Sequence, residues 1–528
     1  MLLTAAPRDP PHVLLSWRAG QRGLPSIAVS ADGRMLFVQT AFPSTVTALD
    51  LAVPDHPVAW RASLGEETSA EGLSCCAPPG SPAPAESRLF VNGPDGHVRA
   101  LDARTGAQVW DRPLARIDEA ELLLGAPLLA RGKVFVGTGN DDFGVRGSVA
   151  ALDLSDGHLL WRRYTTGPDA DVGIGAGGGD TGMTSWSGDG WMHGGGGLAG
   201  PLVFDPMLDL LFYGTGHPAP WNPALRPGDN RWTSGLFARD PATGAVRWFL
   251  GLAPHDLYAL GAAGPLILAT EQGNRVLLHP DANGFLYTLD AASGRMLSAR
   301  PFVAQTALRH VDQTTARPDR NPAMALATNT TTRGICPAWP GAVGAEGAAL
   351  LSGTTLLLIA VNRMCMDFEP RQAGFIAGTP FIGANMRITP PVRGASGRVV
   401  AWDLVAGRQA WAVDEAYPLI GGIVVSPEAG VIYGTLDGWL RAIGPDSGRL
   451  RWSVDVGAPV PGRPLLFVLP DGRHAVAVAS GTSGPVASIL AGKRDMRDAT
   501  AGHGYANVLS ELKPPADPSG RVTVFVLP

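Results

Sequence analysis

Apolar residues along this chain fall in short runs broken by turn residues, and one phrase recurs: Ala-Leu-Asp, Gly four residues after the Asp, and Trp four after the Gly. It reads ALDARTGAQVW (Asp102, Gly106, Trp110), ALDLSDGHLLW (Asp153, Gly157, Trp161), ARDPATGAVRW (Asp240, Gly244, Trp248) and AWDLVAGRQAW (Asp403, Gly407, Trp411). TLDAASGRMLS keeps Asp290 and Gly294 but ends in Ser298. AIGPDSGRLRW keeps Gly448 and Trp452 with Gly444 in the Asp position, and TALDLAVPDHPVAW is a stretched copy ending at Trp60. The apolar pair ends one strand, the Asp side chain caps the turn, Gly supplies a positive φ, and V-x-W begins the return strand. The Trp then packs between neighbouring sheets. Copies about 40–50 residues apart, each with room for four strands, predict an all-β fold, a single eight-bladed β-propeller over residues 1–528. RVTVFVLP (521–528) is expected to complete a blade begun near LLSW (14–17). The long gaps from Asp153 to Asp240 and from Asp290 to Asp403 leave room for degenerate blades and insertions. The repeat Trp and Asp residues build the fold and are assigned no chemistry.

Composition agrees: 68 Gly and 46 Pro in 528 residues suit short strands and tight turns. A net charge of −5 gives no reason to expect nucleic acid or an anionic membrane as partner. No apolar run approaches the roughly 20 residues of a transmembrane helix. GAGGGDTGM near 176–183 lacks the phosphate-loop pattern, and no CxxC, HExxH or GxSxG stands in a credible context. HVDQTTARPDRNP (310–322) reads as a solvated insertion loop. The N-terminal MLLTAAPRDPPHVLLSW shows no visible signal peptide, which favours the cytoplasm. The four cysteines, Cys75, Cys76, Cys336 and Cys365, form two potential pairs that would need an oxidising compartment. For LSCCAPPG itself, a metal site, a redox switch, buried thiols and a strained disulfide ring all stay open.

The Asp-Gly-Trp phrase resembles the tryptophan-docking repeat of quinoprotein alcohol dehydrogenases. TTGPDADVGIG (165–175), GVRGSVAALD (144–153), YGTGHPAPWNPALRPGDNRWT (213–233), PHD (254–256), NGFLYTLD (283–290), ICP (335–337), CMDFEP (365–370) and TLDGWLRAI (435–443) look like the methanol dehydrogenase large subunit. The resemblance spans nearly the whole chain. It implies pyrroloquinoline quinone (PQQ) with calcium or a lanthanide, oxidation of primary alcohols, electron transfer to a cytochrome c, and a periplasmic or extracytoplasmic location. It also implies a Cys75–Cys76 vicinal disulfide against the quinone face and a second, structural disulfide, Cys336–Cys365.

The same resemblance marks departures. The stacking Trp position is Ala199 in GGGGLAGP, and an Ala methyl cannot replace an indole face. The two metal-ligand positions are Asp142 and His217, and imidazole nitrogen suits hard cations poorly. The general-base position after PHD is Ala259, the further Asp of lanthanide-using members falls at Gly261, and Asp256 belongs to PHD itself. The quinone-contacting Arg position is Ala282, the Asn before ICP is Gly334, and the Trp before the GG of IGGIVV is Ile420. General base work alone contributes roughly 10²–10⁴-fold, so ordinary quinoprotein catalysis is not expected here.

Three readings follow. The first is a repurposed propeller binding a small molecule or a protein partner in a central funnel widened by the lost side chains. In the second, Asp142 and His217 approach each other and hold a transition metal or act as an acid–base pair, with Tyr258, Arg333 and His193 as further candidates. The plainer account of His217 is that it fills a void and bonds a backbone carbonyl. The third is a PQQ alcohol dehydrogenase with an atypical site.

Overall fold

The structure, a computed structural model, describes residues 10–20, 23–41, 43–65, 80–175, 180–271, 273–391, 394–482 and 519–528. Among these are eight four-stranded antiparallel sheets, the blades of a β-propeller. Each expected turn forms. Asp102 Oδ1 accepts the main-chain N–H groups of Arg104 and Thr105, Asp240 those of Ala242 and Thr243, and Asp403 those of Val405 and Ala406. Gly106, Gly244 and Gly407 follow at φ 73°, 70° and 64°. Opposite each Trp in the hairpin stands an alanine: Ala48 faces Trp60, Ala151 faces Trp161, Ala238 faces Trp248 and Ala401 faces Trp411. The small residue leaves the indole free to lean out of its own sheet.

It leans onto the next copy of the phrase. Trp60 Nε1 donates to the carbonyl of Ala103 (3.0 Å), Trp161 to Pro241 (3.2 Å), Trp248 to Ala291 (3.0 Å) and Trp411 to Pro445 (3.2 Å). In each case the acceptor is the residue after the next copy's Asp position. The ring lies on the next copy's Gly: a Cβ on Gly244 would stand 2.7 Å from Trp161 Cε3, and one on Gly448 2.8 Å from Trp411 Cε3. The glycine therefore does two jobs, turning the chain and leaving the floor on which the preceding indole rests.

The chain forms two compact units, residues 1–111, 346–362 and 390–528 in one, and 112–345 and 363–389 in the other. In the first, strand His12–Gly20 pairs with Gly520–Val526 (Ser16 opposite Thr523), so the terminal strands share a blade as the sequence predicts. Its core runs between sheets through Leu15, Leu36, Val38, Val522 and Val524. In the second, Phe135, Val149, Trp161, Tyr213 and Phe237 join the sheet of Leu122–Tyr164 to that of Val203–Gly251.

The long gaps hold insertions and no extra four-stranded sheet within the described residues of 165–202. That stretch carries the short helices Asp169–Val172 and Thr181–Thr184 and a single 3-10 turn, Gly190–His193. Between Asp290 and Asp403 lie a hairpin, Leu308–Val311 with Pro318–Arg320, and a three-stranded sheet of Thr332–Ile335, Cys365–Pro370 and Ala384–Thr389. The hairpin corrects the expectation of a solvated loop at 310–322. Asp312 caps its turn through Thr314 and Thr315, Ala316 takes the positive φ of 58° that glycine takes elsewhere, and Val311 and Ala316 are buried. The pairing Cys336–Cys365 is present as a disulfide, whereas Cys75 and Cys76 lie outside the described residues.

Two outcomes follow. Trp161→Ala should cost about 3–5 kcal/mol, as expected for a buried aromatic, and Gly244→Ala about 1–3 kcal/mol from crowding and backbone strain. Urea unfolding of each variant and the double variant measures both; additive losses would show that the ring and the glycine do not share one joint. Opening Cys336–Cys365, which closes 29 residues, should lower stability by about 3–4 kcal/mol, read from unfolding with and without reductant.

Candidate functional site

Two loops of the second unit bring the candidate residues together. The strand Lys133–Asn140 ends in a one-turn 3-10 helix, Asp141–Phe143, which puts two adjacent carboxylates at the strand end. The strand Leu210–Gly214 runs on through Gly216 and His217 into Trp221. His217 Nε2 stands 3.5 Å from Asp142 Oδ1, an ion-pair distance rather than a short hydrogen bond. The same oxygen accepts Trp221 Nε1–H at 2.9 Å. The other ring nitrogen, Nδ1, is 3.4 Å from the Pro218 carbonyl, and the imidazole meets the Trp221 ring edge-on at 5.7 Å. Trp221 is wholly buried, His217 is 8% exposed, and the Asp142 side chain keeps 25% of its surface open. The sequence expectation that Asp142 and His217 approach each other therefore holds.

Asp141 was not among the residues singled out, yet it belongs to this cluster. Its Oδ1 accepts the Gly197 N–H at 2.6 Å. A side chain on Gly216 would overlap its carboxylate. The doubled Asp in GNDDFG was the available signal. Burial pushes the Asp141 carboxyl up to about 6, against the pull of His217 and the Gly197 N–H. Burial pulls the His217 imidazole down, but its bond to Asp142 and the charges of Asp141, Asp142 and Asp256 outweigh this and raise it to about 9.

The other candidates divide. His193 stacks on Phe375 with ring centres 3.5 Å apart; Phe375 meets Phe381 edge-on at 5.6 Å, and Phe381 N donates to the Asp142 carbonyl at 2.6 Å. His193 thus borders the Asp142 loop through aromatic contacts. Tyr258 is buried, with its hydroxyl given to the Met324 carbonyl at 2.9 Å. Arg333 is exposed on the strand Thr332–Ile335 and is not shown in contact with the cluster.

Two of the altered positions are closed over. Ala259 and Ala282 have no exposed surface, and Ala282 is packed against Gly341, its carbonyl accepting the Ala342 N–H at 2.8 Å. A small cavity is lined by their sequence neighbours Tyr258, Leu260 and Asn283, together with Asp256 and Arg320. Asp256 offers no spare base: it accepts Ser234 Oγ (3.0 Å) and the N–H groups of Tyr258, Leu260 and Gly261 (2.9, 3.0 and 2.9 Å). Ala199, at the stacking position, is half-buried.

These residues do not fit a hard cation with a quinone. Asp142 Oδ1 is already turned to two nitrogen groups, and an imidazole is a poor donor to calcium or a lanthanide. Among the described residues no three His, Cys, Asp or Glu side chains are placed to hold a metal ion. Asp142 and His217 alone make half a transition-metal site at most.

The raised imidazole has a measurable consequence. Folded protein holds a proton on His217 that the unfolded chain releases between pH 6.5 and about 9. Stability from this source is complete below about pH 6.5 and is lost as pH rises through about 9. Asp141, raised from 3.8 to about 6, sheds its contribution at lower pH and does not overlap this window. Melting temperature should fall more steeply between pH 6.5 and 9 in the wild type than in His217→Ala; parallel slopes would refute the assignment.

Comparison with known proteins places the chain. The family model described as "Outer membrane protein assembly factor BamB" matches residues 14–178 and 395–526, and that described as "Glucose/ethanol/alcohol dehydrogenase, beta-propeller domain" matches 120–308. The chain is 33% identical to a lanthanide-dependent methanol dehydrogenase of Methylacidiphilum fumariolicum (strain SolV), over 94% of this chain and 84% of that protein. It is 31% identical to methanol dehydrogenase [cytochrome c] subunit 1 of Paracoccus denitrificans, over 96% and 84%. A solved europium-containing methanol dehydrogenase superimposes with a TM-score of 0.92 at 32% identity, over 98% of this chain and 93% of that one. By sequence and by backbone alike, the chain belongs to the family of methanol dehydrogenase large subunits and PQQ alcohol dehydrogenases.

Proposed function

We propose that this family member has left quinone- and metal-dependent alcohol oxidation and is a repurposed propeller that binds a small molecule beside the Asp142–His217 pair. One observation carries the reading: the Asp142 oxygen that faces His217 is shared between the His217 ring and the Trp221 N–H. At the base position, Ala259 is wholly buried, and Asp256 is held by three N–H donors of its own loop and by the Ser234 hydroxyl. General base catalysis needs a proton acceptor within hydrogen-bond reach of the substrate, and none of the residues carried over from the family supplies one. What the pair supports is recognition: the Asp142 side chain, with a quarter of its surface open, presents a carboxylate to a donor group of a polar ligand.

We also read the protein as extracytoplasmic. The Cys336–Cys365 disulfide supports an oxidising compartment, and among the described residues no helix is long and apolar enough to cross a membrane. The second reading, an alcohol dehydrogenase with an atypical PQQ site, is favoured by the close backbone match to a europium-containing methanol dehydrogenase.

Protein purified without chelator, then incubated with PQQ plus calcium or lanthanum, decides between them. No stoichiometric quinone in the absorbance spectrum and no dye reduction with primary alcohols are expected. Stoichiometric quinone with a hard metal and dye-linked turnover would overturn the proposal.

A further inference from the structure

We propose that the His217 side chain is this chain's own replacement for an inorganic cation, seated in the cradle of Asp141 and Asp142 and closing it to hard metal ions. The inference rests on the family reading above for the identity of the position, but its content is the geometry of three residues.

Asp141 and Asp142 pack against Gly216 and His217. Asp141 Oδ1 accepts the main-chain N–H of Gly197 at 2.6 Å. Its carboxylate lies flat on Gly216, where any side chain would overlap it. Asp142 takes the ring end, with Oδ1 3.5 Å from His217 Nε2. The ring cannot swing away easily. Nδ1 lies 3.4 Å from the Pro218 carbonyl, Trp221 meets the ring in a T-shaped contact at 5.7 Å between centres, and only 10% of the side chain is exposed. Trp221 also ties down the carboxylate itself, donating Nε1–H to the same Oδ1 at 2.9 Å.

A hard cation needs several oxygens converging on one point, at about 2.3–2.6 Å for calcium. In this arrangement the space facing Asp142 Oδ1 is filled by a nitrogen-bearing ring, and Asp141 Oδ1 is held by the Gly197 N–H. For an ion to enter, the imidazole would have to leave. A shorter side chain ending in oxygen at position 217 would remove the ring and add a ligand of the right hardness.

Terbium(III), a hard ion whose emission is sensitised by a nearby indole, is the probe, because Trp221 touches the cradle. The full chain, His217→Asn, His217→Gln and His217→Asn/Asp142→Asn are titrated without quinone, with near-ultraviolet circular dichroism confirming folding. The wild type should show no saturable sensitised emission. His217→Asn or His217→Gln should gain a saturable site at least about tenfold tighter than any wild-type binding, and the double variant should lose it. Stoichiometric binding by the wild type, as tight as by the variants, would overturn the inference whatever the variants' stability. So would folded variants that gain nothing. Uptake of quinone with alcohol turnover, measured separately, bears on the proposed function and leaves this result to be read alone.

Discussion

Everything else in the molecule hangs on one joint, the indole of each repeat seated in the repeat that follows it. A buried indole carries a large apolar surface and one N–H that needs an acceptor. In the four seats formed by Trp60, Trp161, Trp248 and Trp411 the acceptor lies outside the Trp's own hairpin. It is the carbonyl after the next Asp position, as with Trp161 and Pro241 or Trp248 and Ala291. The Asp-capped turn presents that carbonyl, the Gly clears the floor beneath the ring, and the Ala across the hairpin lets the ring lean out. A blade thus cannot satisfy its own Trp, which makes neighbouring repeats mutually dependent in the way repeat architectures require.

Because the joints lie in hairpin turns, the loops at the other strand ends are free to change. Asp141 and Asp142 follow the strand Lys133–Asn140, His217 follows Leu210–Gly214, and Asp256 to Gly261 follow Val246–Gly251. None of these residues takes part in a Trp seat. This separation would let a backbone matching a methanol dehydrogenase at a TM-score of 0.92 carry Ala259 and Ala282 at the positions that the sequence resemblance assigns to the family's acid and arginine. The fold is specified by one set of residues and the chemistry by another.

The same separation governs how much could be read from sequence. The repeat made the blades, the capped turns and the shared terminal blade legible, since periodic spacing encodes contacts between successive copies. It hid the double duty of glycine, which depends on a neighbour 80 or so residues away, as Trp161 and Gly244 show. The hairpin at 308–320 escaped because Ala316 replaces the expected glycine at φ 58°. In the site, Asp142 and His217 were found through aligned motifs. Asp141 was passed over because its partner is a main-chain N–H group, which leaves no mark on residue identity. Tyr258 and Arg333 were drawn in by being adjacent in sequence to altered positions; one is satisfied by the Met324 carbonyl and the other is exposed on its strand.

The state of the polar atoms distinguishes decay from rebuilding. A site losing residues independently would leave stranded groups, since removing one partner of a buried charge costs several kcal/mol in typical cases. Among the described residues, the buried side-chain atoms without a hydrogen-bond partner include Gln39, Arg146, Trp191 and Gln305, but none from Asp141, Asp142, His217 or Asp256. Two adjacent carboxylates in a partly buried turn repel each other and are tolerable only with compensation. That compensation comes from the Gly197 N–H to Asp141 and from the His217 ring and the Trp221 N–H to Asp142. An aspartate pair without the histidine would be overcharged, and the histidine without the pair would be a buried imidazole with only a carbonyl beside it. The three residues make physical sense only together, as the proposed reorganisation of this corner requires.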